Sequence, residues 1–165
     1  MTKETISAFT LKITSSNKSQ LINIVFEIYK VHEAEALEAL ESGDIKSATH
    51  SISKLIEVVN HLQKDLDFKY DISTELNALY DFVQRSLAKA IYQAKPEGIY
   101  EARVVMDELS DAFMQIAALD SSEPLMRNTQ SVVAGYTYGR TSLNESFMND
   151  QTSRGFWACF GKNYI

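Results

Sequence analysis

Apolar residues recur every three or four positions through most of the first 117 residues, with polar residues filling the gaps. Leu21, Ile24, Val25, Ile28, His32, Leu37 and Leu40 keep close to a 3.6-residue period, and Glu27, Lys30, Glu33, Glu38 and Glu41 fall mostly between them. Asn17, followed three residues on by Gln20, has the form of a capping box after Ser15-Ser16. Ser42-Gly43-Asp44 ends that helix and starts the next, Gly43 suiting the left-handed position past the last turn and Asp44 an N-cap. The second helix carries Ala48, Ile52, Leu55, Ile56, Val59, Leu62 and Leu66. A polar break from Asp65 to Asp71 leads to a third, with Ile72, Leu76, Leu79, Tyr80, Val83, Leu87 and Ile91. Lys95-Pro96-Glu97-Gly98 reads as one more break, with Pro96 where a first helical turn tolerates it. The fourth helix runs through Ile99, Ala102, Val105, Met106, Leu109, Phe113 and Ile116.

Helices of about 20 to 26 residues are roughly 30–39 Å long, and short connections force neighbours to run antiparallel. The pattern predicts an all-α fold, an antiparallel up-down-up-down four-helix bundle over residues 1–117. Ahead of it, Ile6, Phe9, Leu11 and Ile13 alternate at 9, 11 and 13 in a stretch too short for an independent element, so residues 1–16 read as an N-terminal arm. Residues 118–165 read as a C-terminal extension. Its Tyr136, Tyr138, Phe147, Phe156, Trp157, Phe160 and Tyr164 are costly to leave in water, while its glycines give no helix period. An irregular aromatic tail is expected, with a short helix near 142–148, either folded back on surplus apolar surface of the second and third helices or docked on a partner protein or a second subunit.

Composition narrows the function. Of 165 residues, 45% are hydrophobic and 23% charged, as in ordinary globular domains. The net charge of −6 speaks against nucleic acid or anionic membrane as main partner. It belongs to the first 117 residues, with 18 acidic against 12 basic side chains, since the extension holds four of each. No apolar run approaches the roughly 20 residues of a membrane span, and Met1-Thr-Lys-Glu-Thr-Ile lacks the form of a secretion signal. With Cys159 alone, no intramolecular disulfide forms. A cytoplasmic protein is expected.

Catalytic patterns are missing. His32, His50 and His61 follow Tyr29, Ser47 and Val58 at three residues, so the Glu-x-x-His pair of a di-iron bundle is absent. His32, beside Glu33 and Glu35, reads as solvated helix surface. His50 resembles a phosphorelay histidine only loosely, because Ser53 stands where such modules carry lysine. Gly135-Tyr-Thr-Tyr-Gly139 lacks the Gly-Lys-Ser/Thr of a phosphate cradle, and no nucleophile elbow occurs. The reading is a binding module rather than an enzyme, with no cofactor or metal.

Gly43-Asp-Ile-Lys-Ser-Ala48 with Ile52, Leu55-Ile56, Leu62 and Leu66-Asp67 resembles the second helix of the flagellin export chaperones, the FliS family. Glu75-Leu-Asn-Ala-Leu-Tyr-Asp-Phe-Val-Gln-Arg-Ser-Leu-Ala-Lys-Ala90 is similar to that family's most recognisable stretch, with Ser86 where a second arginine is usual. Leu21-Ile22 with Phe26-Glu27, and Met106-Asp-Glu-Leu109, resemble parts of its first and last helices. The resemblance implies a cytosolic export chaperone. Such a protein binds the disordered C-terminal segment of flagellin, prevents premature polymerisation and delivers it for type III secretion, with the flagellar export apparatus as second partner. A monomer or weak dimer is expected, without nucleic acid or membrane insertion. The alternative is a helical interaction module with another client.

Adjacent apolar pairs such as Leu55-Ile56, Val58-Val59 and Leu79-Tyr80 cannot all face inward, so the second and third helices have apolar residues to spare. Ile52, Ile56 and Val59, with Leu76, Tyr80 and Val83, are the expected client contacts. Phe9 and Ile13 are the expected anchors of an arm that covers the client site and yields to it. Asp81 and Arg85 suggest a surface ion pair.

Overall fold

The computed structural model describes residues 1–126, and they belong to one compact unit. The expected aromatic tail, its short helix at 142–148 and Cys159 lie outside the described residues. The described chain holds five helices and no strand: α1 (Lys3–Thr14), α2 (Lys18–Glu41), α3 (Ile45–Lys64), α4 (Ile72–Gln93) and α5 (Glu97–Leu119).

Local chemistry sets the boundaries. At the start of α2, Asn17 accepts from the Gln20 amide while the Gln20 side chain accepts from the Asn17 amide, so the capping box is complete. Gly43 takes a φ of +76°, and Asp44 caps α3 by accepting from the Ser47 amide. At the end of α4, Ala94 adopts the left-handed conformation, φ 51°, a position that ordinarily favours glycine.

Two expectations are corrected. The first 16 residues, read as too short for an element of their own, contain the 12-residue helix α1. Thr2 caps it with its hydroxyl, and Ile6, Phe9 and Ile13 follow at helical spacing. Gly98 is not a break but lies in the first turn of α5, buried against α4.

α2 packs against α3 and α5, and α4 packs against the same two, closing a ring. Along the α2–α5 seam the partners of rising α2 residues fall along α5: Phe26 meets Phe113, Lys30 meets Asp107, and Glu33 meets Arg103. The core inside the ring holds Phe26 and Tyr29 from α2, Ile52, Leu55 and Val59 from α3, Tyr80, Val83 and Leu87 from α4, and Ile99, Ala102 and Met106 from α5. Each large side chain buried there contributes about 1.5–3 kcal/mol. Among the described helices α1 packs only on α2, with Phe9 buried and Lys12 2.5 Å from Glu27.

Candidate functional site

The six expected client contacts do not form one surface. Ile52, Val59, Tyr80 and Val83 are all 0–1% exposed and belong to the core, while Ile56 and Leu76 are half-buried at its margin. The physical reason is helix rotation. α4 turns Tyr80, Val83 and Leu87 inward, so their neighbours Leu79 and Phe82 face out at 39% and 40% exposure. Burial also pushes the Tyr80 hydroxyl up to about 12. Phe9 is buried and Ile13 half-buried, as anchors of α1 should be, but they rest on α2 rather than over α3 or α4.

The outward-facing part of α3 and α4 is divided by chemistry. Gln63 donates to Asn77 and to Asp81, each at 2.8 Å, and Gln84 donates to Asn60 and Gln63 at 3.1 and 2.7 Å. Asp81 is therefore held by α3 rather than by Arg85, which is exposed and makes no ion pair among the described residues. The α3–α4 seam, where the client was expected, is a polar ladder.

The apolar excess lies on the other side of α4. A Cβ on Gly98 would meet the Ser86 carbonyl oxygen at 2.1 Å and the Ala90 nitrogen at 3.0 Å, so Ser86 and Ala90 mark the side of α4 facing α5. Phe82 and Leu79 precede Ser86 by one and two helical turns and share that side, and Ile72, 57% exposed, lies two turns further back. On α5, half-buried Val105 and exposed Ile116 continue the line of Gly98 at helical spacing. The seam between α4 and α5 thus presents Ile72, Leu79, Phe82 and Ile116 as exposed apolar side chains, with half-buried Val105 packed against the core beside them. The sequence carried a signal for this: positions 79, 82 and 86 form one stripe and 80, 83 and 87 the next.

The histidines offer no metal site. Among the described residues no group of three or more potential ligands gathers. His32 is not solvated surface, being 8% exposed with Nδ1 2.9 Å from Glu35, and burial pushes its imidazole below the usual range. No helix among the described residues is long and apolar enough to cross a membrane.

The family model described as flagellar protein FliS matches residues 5–120, nearly the whole of α1 through α5. The chain belongs to the FliS family. A curated member, the flagellar secretion chaperone FliS of Salmonella typhimurium, is 29% identical over 108 residues, covering 64% of this chain and 80% of the relative. Within the FliS match lie both the polar ladder on α3–α4 and the apolar face on α4–α5.

Proposed function

We propose that this protein is a cytoplasmic export chaperone for flagellin. It would bind the disordered C-terminal segment of that client, prevent its premature polymerisation and hand it to the flagellar export apparatus. The observation that carries the reading is the FliS match running through all five helices, with a FliS chaperone of flagellar secretion among its relatives. The scaffold would be an up-down-up-down antiparallel four-helix bundle. Short connections, the closed ring of helix contacts and the opposed run of α2–α5 partners support that topology.

The client would lie along the apolar α4–α5 face, with Leu79 and Phe82 as central contacts and Leu76 as a marginal one, whereas Ile56 on α3 would lie outside it. Ile52, Val59, Tyr80 and Val83 would act from beneath by holding that face in shape. An apolar client segment gains about 25 cal/mol per Å² of apolar surface buried, offset by the cost of ordering it. Non-enzymatic, cofactor-free operation fits such a mechanism, because capture and release need only competing apolar surfaces.

Co-expression with flagellin, with and without its C-terminal segment, tests the function. Co-purification that depends on that segment supports it, and binding indifferent to the deletion points to a different client. Phe82→Asp and Tyr80→Ala then separate the face from its floor. Phe82→Asp should abolish capture with little loss of thermal stability, whereas Tyr80→Ala should lower both. Capture undiminished in a folded Phe82→Asp protein excludes the α4–α5 face.

A further inference from the structure

The six residues after α5 do not leave the bundle but return to the start of α2. Ser19 donates its hydroxyl to Asp120 at 2.5 Å, and the Asn17 side-chain amide donates to the Asp120 and Ser122 carbonyls at 3.3 and 3.2 Å. The Leu125 amide donates to the Ser16 carbonyl at 3.1 Å. The Ser19 hydroxyl, with Ser122, holds the Asp120 carboxyl below the usual range, and a carboxylate lying against the first turn of α2 also suits the helix dipole.

Ser16 and Asn17 are also the link between α1 and α2, and both are buried. The peptide plane joining them is gripped at both edges. Its carbonyl accepts from Leu125, and its N–H donates to Gln20 Oε1 at 3.1 Å. α1 is hung from that plane and otherwise rests on α2 alone. A 12-residue helix is marginal by itself, so α1 persists only while docked.

We propose that residues 120–125 form a latch on the α1–α2 hinge, so that undocking of α1 and release of the chain after α5 are coupled. With the latch closed, rotation about the Asn17 N–Cα bond is blocked, and α1 keeps the direction that lays Phe9 against α2. With it open, the buried Ser16 carbonyl loses its partner and α1 gains a rotation that lifts it. Coupling of this kind is reciprocal: whatever displaces α1 strains the latch, and whatever holds the latch down keeps α1 docked. The coupling holds whichever client the protein serves.

Hydrogen–deuterium exchange on the full chain, read peptide by peptide, tests it. Leu125→Pro removes the one N–H that reaches Ser16. It should speed exchange of the Phe9–Thr14 amides about fivefold, the factor carried by one net hydrogen bond, with α3 and α4 unchanged. Ser19→Ala, a milder release at the other end of the latch, should act in the same direction. In reverse, Phe9→Ala should speed exchange at Ser122 and Leu125. If either latch variant loosens residues 120–125 while α1 keeps its protection, or if Phe9→Ala leaves those two amides as protected as before, the two elements are independent and the proposal is wrong.

Discussion

Arg103 Nε on α5 donates to Glu33 Oε1 on α2 at 2.8 Å, joining a side chain 40% exposed to one only 7% exposed. The pair is lopsided. Burial raises the Glu33 carboxyl above its usual range and outweighs the downward pull of the Arg103 hydrogen bond, while that same bond raises the partly exposed Arg103. Removing the arginine strands a buried carboxylate; removing the carboxylate leaves a cation that water still reaches. Arg103→Ala should therefore cost about 1–3 kcal/mol, below the range for fully buried pairs because the arginine is partly exposed. Glu33→Gln, which keeps an acceptor, should stay within about 1 kcal/mol. A raised carboxyl pKa means the folded state holds this proton more tightly. Its contribution is full below the unfolded value and is lost as pH rises through the folded one. Urea denaturation at a series of pH values rising from the ordinary carboxylate range should show that slope flattened in Glu33→Gln and steepened in Arg103→Ala.

The Tyr29 hydroxyl is buried without a hydrogen-bond partner among the described residues, and burial, reinforced by Glu33 and Asp107, raises its pKa. Tyr29→Phe removes an unsatisfied polar atom and leaves the ring in place. Stability should rise by about 1 kcal/mol, read as a higher urea midpoint at unchanged slope. A loss of stability would reveal a partner for the hydroxyl.

Gly98→Ala tests the α4–α5 approach. Alanine favours a helix over glycine by about 1 kcal/mol, yet here its Cβ would press on the Ser86 carbonyl oxygen at 2.1 Å. The helices must separate, so a net loss of about 1–3 kcal/mol is expected in thermal unfolding. If the proposed client site is the α4–α5 face, client capture should weaken as well, because the same displacement spreads that face.

At Ala94 the opposite substitution helps. Its φ of 51° costs an L-residue about 1 kcal/mol, and glycine carries no such penalty. Ala94→Gly should raise the melting temperature by a few degrees, the shift that about 1 kcal/mol produces in a domain of this size.

Helix positions were legible because their ends are chemically marked: Asn17 and Gln20 at one start, Gly43 and Asp44 at a stop and restart. α1 was not, because Phe9, Leu11 and Ile13 imitate a strand's alternation while Ile6, Phe9 and Ile13 carry the helical stripe. FliS membership was readable from the Leu79–Leu87 run. The surface was harder. Period alone finds the apolar stripes of α4 but not their rotation, and Tyr80 and Leu79 exchange roles on a turn of 100°. Which stripe faces inward depends on the neighbouring helices, and so on contacts such as Gly98 with Ser86 that no local pattern encodes. His32 was misjudged for the same reason, since its acidic neighbours suggested water.

The seams of the ring are written in different chemistries, which gives the protein a grain. α2 and α5 are joined by charges, Lys30 with Asp107 and Glu33 with Arg103, whereas α3 and α4 are joined by the amides of Asn60, Gln63, Asn77 and Gln84 around Asp81. At about 1 M salt the screening length shrinks to about 3 Å, and exposed ion pairs weaken while amide bonds do not. Like timber, the molecule has a side on which it loosens: ionic strength weakens the exposed pairs that tie α5 to its neighbours, Lys30 with Asp107 and Lys89 with Glu101, and leaves the α3–α4 side of the ring closed.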